Sequence, residues 1–339
     1  MSFFSQPMSI ATQSGEFNLT FREFNDAWQF HKTLQNFDLG VDQLSAGQFL
    51  GNIIEINLPN VKLERHFHNS RLRLEGCPTQ RWSFGIPIRP LSLLFEHRYL
   101  LEDCYLLIAP PNASFTLVEK SLYELYVIYF DEDYFAEICD QFQIPEPQKL
   151  LLDTFNQPSA VTFSKSQQQR FSQIFSRLFS PMLLSFCSQS PHSPLLPYTL
   201  LNLTEYIEEF VIAQLISVLA NSRHIKPSTV THKRLSCLRK AEMFIRDCAK
   251  AEISIADVST ASGVSKRTLE YLFKDFYGIS PIAYLKCHRL NQLRQSLSAQ
   301  NLSIKKINQL ASEFGFWHSG QLAQDYYKLF GELPSQTLS

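Results

Sequence analysis

Between residues 47 and 130 apolar and polar positions alternate. Ile54, Ile56 and Leu58 are interleaved with Glu55 and Asn57. Trp82, Phe84, Ile86 and Ile88 are interleaved with Ser83, Gly85, Pro87 and Arg89. A period of two predicts strands with one face turned to a core. The run LYELYVIYF at 122–130, aromatic and β-branched, predicts another strand, and DEDYFAEICDQF at 131–142 a helix after it. Short strands broken by Pro and Gly predict a cupin-like β-barrel or sandwich accompanied by helices. Helical spacing returns over 166–187. It returns again from Tyr198 to Ala220, where Leu200, Leu203, Ile207, Phe210, Val211, Leu215 and Val218 recur at helical intervals. That second segment reads equally well as a core helix or as a helix joining two copies of the chain.

The C-terminal part repeats itself. Ile255, Val258, Gly263 and Val264 are matched 52 residues later by Ile307, Leu310, Gly315 and Phe316. Leu269, Phe273, Phe276, Tyr277, Gly278 and Pro281 are matched 53 residues later by Leu322, Tyr326, Leu329, Phe330, Gly331 and Pro334. Each copy predicts a short amphipathic helix, a glycine, and a second helix ending at another glycine, which is a helix-turn-helix twice over. Ser254 and Ser265 stand where N-caps are needed, and Gly263 where a helix ends with positive φ. Ser280 and Pro281 predict the start of a connecting helix over Ile282 to Leu297.

In such a unit the second helix enters the major groove of duplex DNA, and its N-terminal residues reach base edges. With Leu269, Leu272, Phe273 and Phe276 turned inward, Lys266, Arg267, Glu270, Tyr271 and Lys274 face out. Arg267 suits guanine and Glu270 suits cytosine, while Tyr271 suits a base or a phosphate. Lys266 and Lys274 suit the backbone. The corresponding outward set in the second copy is His318, Ser319, Gly320, Gln321 and Gln324, with the two glutamines suited to adenine. Lys286, Arg289 and Arg294 of the connecting helix read as phosphate contacts or solvated cations. Trp317 and His318 read as a cap and a groove-edge contact.

Charge sharpens this picture. From Asn221 to the end there are 17 Lys+Arg against 9 Asp+Glu, net +8, whereas the first 220 residues carry 14 against 23, net −9. A basic module that meets a polyanion, joined to an acidic one, fits this asymmetry. The chain has no run of about 18 apolar residues, so no membrane span is expected. The N-terminus lacks the pattern of a signal peptide. Its seven cysteines are scattered and never spaced C-x-x-C, which suits a reducing cytoplasm. Cys237, Cys248 and Cys287 read as buried small hydrophobes. The polar stretch 221–233, with one proline, reads as a linker between a sensor and dimerisation domain (1–220) and a DNA-binding domain (234–339). The two helix-turn-helix units of that domain fall at about 254–278 and 303–331.

The string SGVSKRTLEYLFKDFYGISPIAYLKCHRLNQLRQSL and the second-copy string GFWHSGQLAQDYYKLFGELPSQTL resemble the AraC/XylS family of bacterial regulators. The resemblance covers roughly Arg234 to Ser339. It implies base-facing roles for Arg267, Glu270 and Tyr271, and for Ser319, Gly320, Gln321 and Gln324. It also implies a variable N-terminal domain that senses a small molecule and dimerises. Many members have arginine where this chain has Gln324, and a phenylalanine–lysine pair where it has Tyr326–Tyr327. WSFGIPI and the GFWHSGQ form of the second helix are nearest the ethanolamine-utilisation regulator branch.

The expectation is therefore a sequence-specific transcription factor, an activator in cytoplasm, that answers an unidentified small-molecule effector. It needs no cofactor and no metal. Its partners are the major groove of duplex DNA, a second copy through the Tyr198–Ala220 helix, and RNA polymerase if it activates. The alternative is a cupin-like metalloenzyme tethered to a DNA-binding module. It rests on His66 and His68, which an H-x-H spacing puts on one face of a strand, but Glu75 follows too late for the usual cupin ligand set. Pocket or surface histidines are the simpler reading. Trp82 and Trp28 are candidate pocket walls, with core packing as the plainer reading.

Overall fold

The computed structural model describes residues 8–11, 18–87, 93–95, 98–100, 105–118, 122–141, 158–162, 164–179, 196–221, 223–224, 229–249, 252–299 and 307–338. An N-terminal sheet-rich region is followed by a C-terminal helical one. The first sheet holds β1 (Met8–Ala11), β2 (Asn18–Phe24), β4 (Gly51–Asn57), β5 (Val61–His68), β7 (Arg81–Pro87), β10 (Tyr105–Ala109), β12 (Tyr123–Asp131), β13 (Ser159–Thr162) and β14 (Arg223–His224). Its order is β1-β2-β4-β5-β12-β7-β10-β13-β14. The second holds β3 (Phe37–Gln43), β6 (Leu72–Pro78), β8 (Leu93–Phe95), β9 (Arg98–Leu100) and β11 (Phe115–Val118), in the order β3-β6-β11-β8-β9. All pairings among the described strands are antiparallel, and both sheets end in edge strands, so no closed barrel forms.

Strand β12 shows why its sequence is apolar throughout. Tyr126, Ile128 and Phe130 enter a core that is covered by helices. Leu125, Val127 and Tyr129 enter the core shared by the two sheets. A strand buried on both faces has no reason to alternate. The same covering corrects the reading of β7, where alternation predicts a solvent side. Trp82, Phe84 and Ile86 face the helices, but Ser83 and Gly85 are buried too, on the inter-sheet side. Ile88 lies outside the described residues.

The covering helices are α2 (Glu132–Gln141), α3 (Lys165–Leu178) and α4 (Leu196–Asn221), while α1 (Ala27–Lys32) packs against the inter-sheet core. Phe171 and Phe175 of α3 and Ile207, Val211, Leu215 and Val218 of α4 are buried against the first sheet. One face of α4 thus packs inside its own chain. Its side chains at Leu200 and Leu203 lie outside the described residues, as do 180–187 of the helical run expected at 166–187.

The helical region comprises α5 (Thr229–Asp247), α6 (Ile255–Ser262), α7 (Lys266–Tyr277), α8 (Pro281–Ala299), α9 (Ile307–Glu313) and α10 (Ser319–Phe330). Helix α5 starts inside the stretch 221–233 that reads as a linker, and β14 pairs with β13 there. A polar run also suits the first turn of a surface helix, and backbone pairing does not require apolar side chains. The helical region has two cores. One gathers α5, α6, α7 and Tyr284–Leu285 of α8; the other gathers α9, α10 and Leu290, Leu293 and Leu297 of α8. The two regions of the chain meet along β3, where Asp42 binds His288 at 2.9 Å and Arg246 at 3.0 Å. Beside it, Arg73 pairs with Glu242, and Asp26 with Arg294.

Candidate nucleic-acid interface and internal cavity

The first unit is built from local rules. Ser254 caps α6 in a capping box: its hydroxyl accepts from the Asp257 backbone N–H, and the Asp257 carboxylate accepts from the Ser254 N–H at 2.8 Å. Gly263 ends the helix at φ +70°, a left-handed conformation that a side chain disfavours. Ser265 accepts from the Thr268 N–H at 3.2 Å and starts α7. Leu269, Leu272, Phe273, Phe276 and Tyr277 then form its buried stripe, against α5, α6 and α8. Lys266, Arg267, Tyr271 and Lys274 are exposed and Glu270 is half-buried, all on the opposite side.

The second unit has the same frame with poorer ends. Gly315 repeats the positive φ, at +79°. His318 occupies the N-cap position of α10, but its side chain makes no capping bond, which corrects the capping role expected of it. Leu322, Tyr326, Leu329 and Phe330 are buried. His318, Ser319, Gly320, Gln321 and Gln324 are exposed, and Trp317 beside them is 67% exposed.

Helix α8 starts as expected, with Pro281 first and the Ser280 hydroxyl accepting from the Ala283 N–H. Its cations are largely engaged within the chain. Lys286 pairs with Asp325 at 3.0 Å, and the Arg289 Nε donates to the Ala249 carbonyl at 2.6 Å. Arg294 is buried between Asp26 and Glu332. The expectation of phosphate contacts or solvated cations on this helix fails outright for Arg294. The cause lies in partners far away in sequence.

One cation beside the interface escaped the sequence reading. Arg234 of α5 lies over the Tyr271 ring, 5.4 Å from its centroid, and pairs with Asp275 at 3.3 Å. No local pattern links a residue of α5 to a ring 37 positions later in α7. Only the packing does.

Between the sheets lies a cavity of about 60 Å³, lined mainly by apolar side chains such as Phe30, Leu34, Leu107 and Leu125. His31, His66 and His68 also line it. The His31 Nδ1 donates to the Ala27 carbonyl, and burial pushes its pKa down to about 3, so the ring is neutral. His66 bonds to Glu64 at 2.7 Å. Burial raises the pKa of the Glu64 carboxyl, but the His66 bond and charge, with Lys62 and the Tyr129 hydroxyl, outweigh it and hold the value at about 2. The two histidines do share a face, as the H-x-H spacing predicts. Among the described residues, no three His, Cys, Asp or Glu side chains are placed to hold a metal ion. Trp82 and Trp28 are not cavity walls: Trp82 packs beside Phe84 and Phe135 under the helices, and Trp28 lies beneath Lys32. Cys237, Cys248 and Cys287 are half-buried, and burial pushes the Cys287 thiol up to about 12, far from a reactive thiolate.

Comparison with known proteins bears on the helical region. Residues 258–339 match the family model of a helix-turn-helix domain. The chain is 29% identical over 160 residues to the XylDLEGF operon transcriptional activator 3 of Pseudomonas putida, covering 47% of this chain and 46% of that protein. It is 34% identical over 103 residues to the XylDLEGF operon transcriptional activator 2 of the same organism, covering 30% and 66%. The chain thus spans about half the length of the curated relatives it matches. A solved probable AraC family transcriptional regulator from Rhodopseudomonas palustris CGA009 is 31% identical over 30% of this chain and 94% of its own, with a TM-score of 0.28. The helix-turn-helix match and the identity to these activators, together with the doubled helix-turn-helix, make the helical region one of the AraC/XylS type of transcriptional regulators.

Proposed function

We propose that this protein is a sequence-specific DNA-binding regulator that reads two successive major-groove segments with α7 and α10. The observation that carries the reading is the exposure of one polar face on each of these helices while the opposite face is buried in its own core. Lys266, Arg267, Glu270, Tyr271 and Lys274 contact one half-site, and His318, Ser319, Gly320, Gln321 and Gln324 the other. Arginine and glutamine forks read guanine and adenine, and the lysines hold phosphates. The named relatives are activators, which supports activation through RNA polymerase, in the cytoplasm where its DNA lies.

In this reading residues 1–220 sense and dimerise, 221–233 connect, and 234–339 bind DNA. The two facing sheets form a cupin-like chamber, and an apolar effector enters between them by widening the cavity of about 60 Å³, which as it stands is smaller than a ligand pocket. The α4 helix joins two copies. No catalytic role is assigned: of the histidines that favoured an enzyme, His66 is bonded to Glu64 within the core and His68 is buried in a stack with Tyr123. No described helix is long and apolar enough to cross a membrane.

A mobility shift with the duplex upstream of its own gene tests the reading. Binding that weakens steeply with salt is expected. Absence of any shift at low salt, with and without apolar effectors, would sink it.

A further inference from the structure

The last turn of a helix leaves carbonyls without partners inside the helix. In both recognition helices, donors from the N-terminal region satisfy them. Arg71, between β5 and β6, donates to the Tyr277 carbonyl of α7 at 2.9 Å. The Gly47 N–H and the Gln43 side chain, from β3 and the loop after it, donate to the Lys328 and Leu329 carbonyls of α10 at 3.0 and 2.8 Å. The next residue past each helix, Gly278 or Gly331, sits so close that an added methyl would meet Arg71 or Gln48. Two equivalent ends of a duplicated unit are thus gripped by two neighbouring loops of one sheet-rich region.

The same strand holds the helix between the units. The Asn291 side chain of α8 accepts from the Gln43 N–H and donates to its carbonyl, both at 3.0 Å, as a neighbouring strand would. Asp42 binds His288 one turn earlier, and Asp26 binds Arg294 one turn later. The two units have separate cores and meet through α8. On that helix alone each unit can rock about its own contacts, since nothing in either core fixes the other.

We propose that β3 and its flanking loops set the distance and phase between the two recognition helices. Gln43, Arg71 and Asn291 are then positioning residues that select the spacing of half-sites, although none of them reaches DNA. The proposal rests on the reading that α7 and α10 both bind one duplex. Its physical basis is that half-sites are separated in steps of one base pair, about 3.4 Å along the axis and about a tenth of a turn. A pair of helices each held at its C-terminal end by polar bonds accepts one such step and rejects its neighbours.

Selection from a library of randomised duplexes tests this with the full chain. The wild type is expected to enrich pairs of half-sites at a single spacing. Arg71→Ala and Asn291→Ala are expected to enrich the same half-site sequences, with the preference over spacings one base pair away reduced at least about threefold. Arg71→Lys keeps a donor for the Tyr277 carbonyl and is expected to restore the wild-type preference. A variant that is merely destabilised loses enrichment equally at every spacing, and that result overturns the proposal. So does an unchanged single spacing in both alanine variants. If the wild type enriches no paired half-sites at all, the DNA-reading assignment itself has failed, which is a different outcome from failure of the clamp.

Discussion

The two helix-turn-helix units share a frame but not a finish. The first has serine caps at both helix starts, a charged recognition helix, and a buried carboxylate at its heart. Glu242 accepts from the hydroxyls of Tyr277 and Tyr284 at 2.8 and 2.9 Å, and pairs with Arg73. The second lacks a side-chain cap on α10 and presents glutamines in place of charges; its buried Tyr326 meets Thr337, and its Glu332, 29% exposed, pairs with the buried Arg294. The difference teaches that a repeat fixes a backbone and an inward stripe, while each copy's outward chemistry and anchoring are free to diverge.

The largest expected effect tests the anchoring. Glu242→Ala leaves the buried Arg73 with only the exposed Glu75 carboxylate and strips the Tyr277 and Tyr284 hydroxyls of their acceptor, and a loss of about 3–5 kcal/mol in stability is expected by chemical denaturation. Glu332→Ala, at a carboxylate that is 29% exposed, should cost no more than about 1 kcal/mol. Equal losses would mean that the two units are anchored alike. Next comes reading. Arg267→Ala should cost about 1–3 kcal/mol of discrimination at one base position of the first half-site. Gln321→Ala should change preference only in the second half-site and leave the salt dependence of binding untouched, because it removes no charge. A uniform loss of affinity for all sequences in the arginine variant would remove its base-reading role. The smallest effect concerns the caps. Ser265→Ala should destabilise by about 1 kcal/mol, whereas His318→Ser should stabilise by about 0.5–1 kcal/mol by supplying the bond that α10 lacks. If thermal melting shows no gain from the serine, the end of α10 is already satisfied by other means.

Much of the helical region was legible because its determinants are local. Capping at Ser254, Ser265 and Ser280, the turn at Gly263, and the stripe Leu269–Phe273–Phe276 each involve residues within a few positions of one another, so the sequence displays them directly. The N-terminal strands were legible in kind but less so in their facing. Alternation in β7 tells which residues share a side, yet it does not tell that both sides are covered. The charge split between the halves was real but partly misleading. Asp26, Asp42 and Glu75 of the acidic half bind Arg294, His288 and Arg246 of the basic half, so some of the asymmetry is spent within the chain.

Sequence by itself determined the two repeated units, the caps of the first and the polar faces of their second helices, because helix periodicity and end chemistry act over four residues or fewer. Only the tertiary structure decided which cations face solvent and which are buried, and what holds the two units together. Those choices depend on pairs such as Asp42 with His288 and Asp26 with Arg294, which lie 246 and 268 residues apart. No local pattern encodes such a pair; it exists only once β3 has been laid against α8.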